Sequence, residues 1–374
     1  MAESVSWLKA MDPRETKLNI LLFALPITLY FNYIDQNHSM AFFSSLIAIM
    51  PLAFLMGRAT EEIALRTTES LGGLLNATFG NAAELIIAVL LILEASRVAD
   101  PETQSFFIQL VQASLIGSIL GNLLLVMGLA FVWGGIHHSE QKYSETQVSS
   151  NGSLLLLSMI VLVIPTVFHS SVGGEGGDSR LLDLSHIAAA ILLLVYGLFL
   201  LFQFRTHVHL FATDGSHHEE PEMTQRDSII LLVVATVLVS WMAEILVHSV
   251  EYAAEDFGLP HLFIGVILLP LFGNAAEHFT AVTVAGKDKM DLSFAISMGS
   301  STQIAVFIAP LMVIIAWALG VPLTFEFGTL ETVSAFLAVL IVNSIAADGK
   351  SNWLEGAMLL SSYAVLAAAF LFHP

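Results

Sequence analysis

Two glutamates in this chain stand inside long apolar runs, and they stand there in the same words. Gly80-Asn81-Ala82-Ala83-Glu84 and Gly273-Asn274-Ala275-Ala276-Glu277 are identical pentapeptides, each preceded by a phenylalanine, Phe79 or Phe272. LIIAVLLIL follows the first and IGVILLPLF leads into the second. A carboxylate in a membrane-spanning helix costs about 2.5–3.5 kcal/mol on insertion scales. Two carried in one repeated setting point to one site built twice. In each copy Asn and Glu are three residues apart and share a helix face. Pro270, three before Gly273, lacks an N–H and disturbs the preceding turn. A broken helix frees carbonyl oxygens, so carboxylates, amide oxygens and carbonyls together suit a hard cation. Ca2+, which takes 6–8 oxygens, is the best match. Two nearby carboxylates in a low dielectric cannot both stay charged without a cation. Protons and metal therefore compete for Glu84 and Glu277, and that competition is the basis of an antiporter.

Around this centre the fourth apolar run offers Ser114, Gly117, Ser118, Gly121 and Asn122 on one face, with Gln112 nearby. The ninth offers Ser297, Ser300, Ser301 and Gln303, of which Ser300 and Gln303 share a face. Ser118 and Ser300 are matched by the repeat and are taken as ligands with Asn81, Asn274 and Gln303. For the other serines a ligand role and helix-packing glue are equally good readings. Asn122, Gln112, His278, Glu62 and Glu244 form a second rank. Glu62 and Glu244, read as lying near span ends, could serve a proton path or a cation vestibule, and His278 could gate or tune selectivity.

Composition places these residues in a membrane. The chain has 374 residues, 56% hydrophobic and 12% charged, with no cysteine and a net charge of −19. A soluble domain carries about 25% charged residues. Negative charge excludes a nucleic-acid partner and fits cations. The absence of cysteine removes disulfides and thiolate sites. HExxH, GxxxxGK[ST] and GxSxG are missing, so the reading is a transporter in membrane lipid, not an enzyme, and no cofactor is expected. The polar start MAESVSWLKAMDPRETK is read as a retained segment and not a cleaved signal.

With about 20 residues per crossing, eleven spans are expected near 18–34, 40–57, 72–94, 106–133, 152–169, 184–204, 228–248, 261–285, 292–319, 330–346 and 353–372. Long runs without alternation make them helices. The polar stretch from Arg58 to Glu69 is read as a possible interfacial helix. With the N-terminus inside, eleven Lys and Arg fall on the inner side and only Arg97 and Arg180 outside, which fixes a cytoplasmic N-terminus.

The repeat then divides the chain. Glu62, Glu69 and Gly117-Ser118 match Glu244, Glu251 and Gly299-Ser300 at an offset of 182, and the pentapeptides match at 193. Residues 1–38 form the N-terminal tail and an extra helix, 39–204 the first five-span repeat, 205–227 an acidic, His-rich cytoplasmic linker and 228–374 the second repeat. Halves with an odd number of spans insert in opposite directions. The expected fold is therefore an all-α polytopic membrane protein of about eleven helices in two inverted five-helix repeats. The His217, His218, Glu219, Glu220 and Glu222 cluster reads as a solvated linker rather than a metal sensor.

GGLLNATFGNAAELIIA, QASLIGSILGNLLLVMG, LLPLFGNAAEHFTAV and SMGSSTQIAVFIAPL together resemble the Ca2+/H+ antiporter family of the calcium/cation antiporter superfamily. The resemblance spans the second to eleventh helices. It implies that Glu84 and Glu277 bind Ca2+ or protons alternately at mid-membrane. It also implies that Asn81 and Asn274 flank them and that Ser118, Ser300 and Gln303 line the cavity. Ca2+ is then the transported substrate and H+ the counter-ion. The family also carries Mn2+ and Cd2+, and Na+/Ca2+ exchange, Mn2+/H+ exchange and a Ca2+ channel are the rival readings. A polar N-terminal region of only about 17 residues resembles prokaryotic, plasma-membrane members; a eukaryotic member would sit in the vacuolar membrane.

Overall fold

In the computed structural model, residues 5–67, 72, 75, 78–172, 177–208 and 221–373 are described. Nine helices among them are long and apolar enough to cross a membrane: α1 (Lys17–Asp35), α2 (His38–Ala64), α4 (Pro101–His137), α5 (Val148–His169), α6 (Ser179–Thr206), α7 (Gln225–Phe257), α9 (Met290–Ala318), α10 (Thr329–Asp348) and α11 (Trp353–Leu371). A further helix, α8, is broken into His261–Gly273 and Ala275–Ala285 with a bend of 59°, and its two parts together are long and apolar enough for a broken span or a re-entrant loop. The expected third span is represented by α3 (Ala82–Arg97). Much of the approach to it, including Glu69, lies outside the described residues, as do the linker residues 209–220.

Local chemistry sets the helix ends. Asp100 caps α4 by accepting from the Thr103 N–H, with Pro101 in the first position, where its missing N–H costs nothing. Thr224 caps α7 through the Asp227 N–H, and Gly258, at φ 60°, ends it in the left-handed conformation. The polar stretch after Arg58 is not a separate interfacial helix at its start. α2 runs on to Ala64.

The chain forms two compact units. The first holds Met1–Leu90, Thr213–Leu259 and Leu271–Glu277. Its frame is the pair α2 and α7, repeat mates packed along their length. On α2 the buried positions Ala41, Ser45, Ala48, Leu52, Leu55 and Ala59 recur at alternating steps of four and three. Leu231, Ala235, Val239, Met242, Leu246, Val250 and Ala253 recur at steps of three and four on α7. This is close to the 3.5-residue period of a coiled-coil seam. In lipid no hydrophobic force drives such a pair together, so the small residues matter because they let the backbones approach.

The second unit holds Leu91–Ala212, Pro260–Pro270 and His278–Pro374. Here α4 crosses α8 with almost no space between backbones. A Cβ added at Gly117 would lie 2.2 Å from the Val266 carbonyl oxygen, and one at Gly265 would lie 2.4 Å from the Ala113 Cβ. A short antiparallel pair, β1 (Gln141–Lys142) with β2 (Lys350–Ser351), ties two interhelical loops together.

The repeat is visible in the backbone. α4 and α9 each contain a π-helical turn, at Gly121–Val126 and Ile304–Ile308. Such turns insert an extra residue into an α-helix and gather at functional sites. Both pentapeptides interrupt their helices at the asparagine, Asn81 and Asn274.

Candidate ion-binding site

The two glutamates belong to the first unit, and each is seated against the glycine of the other's motif. A Cβ at Gly80 would meet Glu277 Oε1 at 3.1 Å, and one at Gly273 would meet Glu84 Cγ at 3.8 Å. Glycine at position 80 therefore makes room for the Glu277 carboxylate, whereas a Cβ at position 273 would make only ordinary contact with the Glu84 methylene. Both carboxylate oxygens of Glu84 and Oε2 of Glu277 are withdrawn from solvent. Asn81 and Asn274 are buried beside them, and Asn274 Nδ2 has no hydrogen-bond partner among the described residues. Among those residues no three His, Asp or Glu side chains converge. The centre is two acids with neutral oxygens around them. Such a set is chemically able to hold a divalent cation and to take up protons in its place.

The remaining proposed ligands lie in the second unit. Asn122 Nδ2 donates to Ser300 Oγ at 3.0 Å, with both side chains buried. Asn122 Oδ1 is buried with no partner among the described residues. Asn122, which sequence reasoning ranks below Ser118, is thus joined directly to a ranked ligand. Its place at the start of the π-helical turn of α4 is not readable from residue type. Ser118 is buried on the same helix and Gln303 is half-buried just before the π-helical turn of α9. The other serines behave differently: Ser114, Ser297 and Ser301 each donate to a carbonyl of their own helix.

Three of the second-rank residues are placed elsewhere. Gln112 donates its amide to the carbonyls of Thr324 and Glu326, at 3.0 and 2.8 Å. Glu62 is 5% exposed and accepts the backbone N–H groups of Glu222 and Met223, both at 3.1 Å. Arg66 pairs with its carboxylate at 3.4 Å and donates to the Met223 carbonyl; Arg58 pairs with Glu222 at 3.1 Å. Val5 N–H closes the same knot on the Glu222 carbonyl at 2.9 Å. Glu62 therefore fixes the end of the linker to the end of α2. Its repeat mate Glu244 is exposed and lies well inside α7, whose helix continues nine residues past the apolar run to Phe257. His278 is buried after Glu277, with Nε2 unbonded among the described residues.

The Glu62 knot carries an expected result. Glu62→Ala leaves the buried Met223 N–H and the part-buried Glu222 N–H without their acceptor and removes the ion-pair partner of Arg66, at about 1–3 kcal/mol for a desolvated donor. The unfolding midpoint of the purified protein should fall, while the half-saturating Ca2+ concentration for transport should stay within about twofold of wild type, a shift of under about 0.5 kcal/mol. A rise of about tenfold in that concentration, or about 1.4 kcal/mol, would place Glu62 on the ion path instead.

The sodium/calcium exchanger protein family model matches residues 38–205 and 227–372. A Ca(2+)/H(+) antiporter of Aphanothece halophytica is 43% identical over 369 residues, covering 95% of this chain and 96% of its own length. A vacuolar calcium ion transporter of Schizosaccharomyces pombe is 38% identical over 383 residues, covering 100% and 90%. The crystal structure of the Ca2+/H+ antiporter protein YfkE superposes with a TM-score of 0.78 at 34% identity, covering 96% of this chain and 99% of that one.

Proposed function

This chain belongs to the sodium/calcium exchanger protein family, and from that premise we propose that it is a secondary active transporter exchanging Ca2+ for protons across its membrane. The observation that carries the reading is the reciprocal seating of Glu84 and Glu277, two solvent-shielded carboxylates held in one repeated motif. The relatives named as Ca2+/H+ antiporters support the choice of ions.

Ca2+ from the cytoplasm binds the deprotonated glutamates and releases their protons. Asn81 and Asn274 supply neutral oxygens next to them, and Ser118 and Asn122 of α4 with Ser300 and Gln303 of α9 form a second polar group. The loaded centre is neutralised and can be exposed to the other side. The α2–α7 pair, joined along one seam, moves as a single piece in that alternation. Outer protons then neutralise the glutamates, expel Ca2+ and permit the return. With both glutamates bare the centre does not cross, because an unpaired charge buried in low dielectric is too costly. That prohibition couples the two fluxes.

Purified protein in liposomes should take up Ca2+ when the interior is made acid, stop when a protonophore collapses the gradient, and ignore an outward Na+ gradient of equal size. Uptake driven by Na+ would make the chain a Na+/Ca2+ exchanger. Uptake without any gradient would make it a channel.

A further inference from the structure

The segment between α9 and α10 is extended and held by side chains of neighbouring helices. Val321, Leu323, Phe325 and Phe327 are all buried, while the residues between them are more exposed. That is the period of two of an extended strand, yet no strand pairs with it among the described residues. Side chains take the place of a neighbouring strand. Gln112 of α4 donates to the carbonyls of Thr324 and Glu326. Ser185 of α6 accepts the Phe325 N–H at 3.1 Å, and Thr166 of α5 accepts the Phe327 N–H at 3.1 Å. Glu331 of α10 accepts the Gly328 N–H at 2.7 Å. The one ionic tie among the described residues is His169 of α5 to Glu326, both about one-third exposed.

The corresponding connection in the first repeat, between α4 and α5, is pinned in the same manner but with other chemistry. Gln141 donates to the Ala285 carbonyl at 2.9 Å and to Asp288 at 2.8 Å, and Tyr143 donates to the Lys350 carbonyl at 2.7 Å. Its ionic tie is Lys350 to Glu140 at 3.1 Å. The Lys and Arg distribution puts this connection inside and the 321–327 segment outside. The inner tie uses a cation that keeps its charge at physiological pH. The outer tie uses histidine, the side chain that changes charge between about pH 5 and 8.

We propose that residues 321–327 form an outer cap on the second unit, and that the His169–Glu326 pair makes its closure respond to outer pH. Protonated His169 gives a charge-assisted bond to the Glu326 carboxylate, so the cap is held tightly in acid and loosens as outer pH rises through the histidine range. Other ionisable groups on the elements touching the segment are Glu102 and His137 of α4, Arg180, Asp183, His186, Tyr196 and Arg205 of α6, and Glu331 and Asp348 of α10; His373 acts electrostatically on Glu331. His186 is packed against Trp317, with ring centroids 4.7 Å apart, and provides a control for a second histidine at this end.

The chain has no native cysteine, so Leu323→Cys introduces a single buried thiol under the cap. Its labelling in intact cells by a membrane-impermeant maleimide reads cap opening. Rates are compared between backgrounds at one pH, which cancels the ionisation of the thiol. At about pH 6, within the histidine range, His169→Gln and Glu326→Gln should each raise labelling about fivefold, the upper range for an exposed ion pair. At about pH 8.5, above that range, the three backgrounds should agree, and His186→Gln should match the parent at both pH values. Labelling unchanged in acid in either variant, or raised equally at both pH values, overturns the proposal. Should Leu323→Cys fail to fold, amide exchange at Leu323, Phe325 and Phe327 in the cysteine-free backgrounds makes the same comparison and decides it by the same outcomes. Neither readout needs Ca2+ flux, so the cap and the exchange reaction stand or fall separately.

Discussion

Glu84→Gln and Glu277→Gln should each abolish proton-driven Ca2+ uptake, by at least about 100-fold, or about 2.7 kcal/mol at 1.4 per decade. Glutamine keeps the volume and the hydrogen-bonding oxygen of the side chain. What it removes is the charge that binds Ca2+ and the site that accepts a proton, so the change is chemical and not a packing defect. Each carboxylate side chain lies against the opposite motif's glycine, so the two variants should lose activity to a similar extent. Equilibrium Ca2+ binding to purified protein should fall with transport, while the unfolding midpoint should hold or rise, because a buried charge has been removed. Transport in either Gln variant above one-tenth of wild type would remove that glutamate from the centre. A large difference between the two would mean that the repeat is not used symmetrically.

The second large effect is expected at a residue that binds nothing. In Gly117→Ala the new methyl would sit 2.2 Å from the Val266 carbonyl oxygen and 2.6 Å from its carbonyl carbon and Cα. Those are backbone atoms of another helix and cannot rotate away, so α4 and α8 must separate. Overpacking of this kind costs about 1–3 kcal/mol, and more when backbone has to move. Gly117→Ala should lower the unfolding midpoint and the yield of folded protein and take transport with them. Gly299 is its repeat mate, with no atom of the described residues within 4 Å of an added Cβ. Gly299→Ala should therefore fold and transport as wild type does. Equal behaviour of the two variants, in either direction, would contradict the close crossing at Gly117.

The membrane helices and the helix breaks at the two pentapeptides could be read from the sequence because both rest on local signals. Apolar length marks a crossing, and GNAAE, repeated, marks a break with an acid beside it. Glu62 and Glu244 show where such reading ends. They occupy matched positions in the repeat, yet one accepts two backbone N–H groups from the end of the linker while the other is exposed in mid-helix. The partner of Glu62 comes from 160 residues away, and no periodicity encodes it. α7 outlasts its apolar run because HSVEYAAEDF is amphipathic, with Ser249, Val250, Ala253 and Ala254 still on the buried side. A hydropathy boundary at residue 248 therefore misplaces Glu244 relative to the helix end. Gln112 is grouped with ligands on the strength of its amide, but that amide serves as a splint for the 321–327 segment. The π-helical turns leave no compositional trace, since an inserted residue looks like any other.

The interlocked seating of the two motifs also bears on how the protein is made. Glu84 and Gly80 emerge early in synthesis, and Gly273 and Glu277 only after most of the chain has been translated. Until then each half owns one carboxylate and the vacant space intended for the other. A nascent or truncated chain can occupy the membrane without offering a two-acid passage for Ca2+, so an organism that guards its cytoplasmic Ca2+ is protected from its own unfinished exchanger. The centre comes into being in one step, when the second repeat inserts.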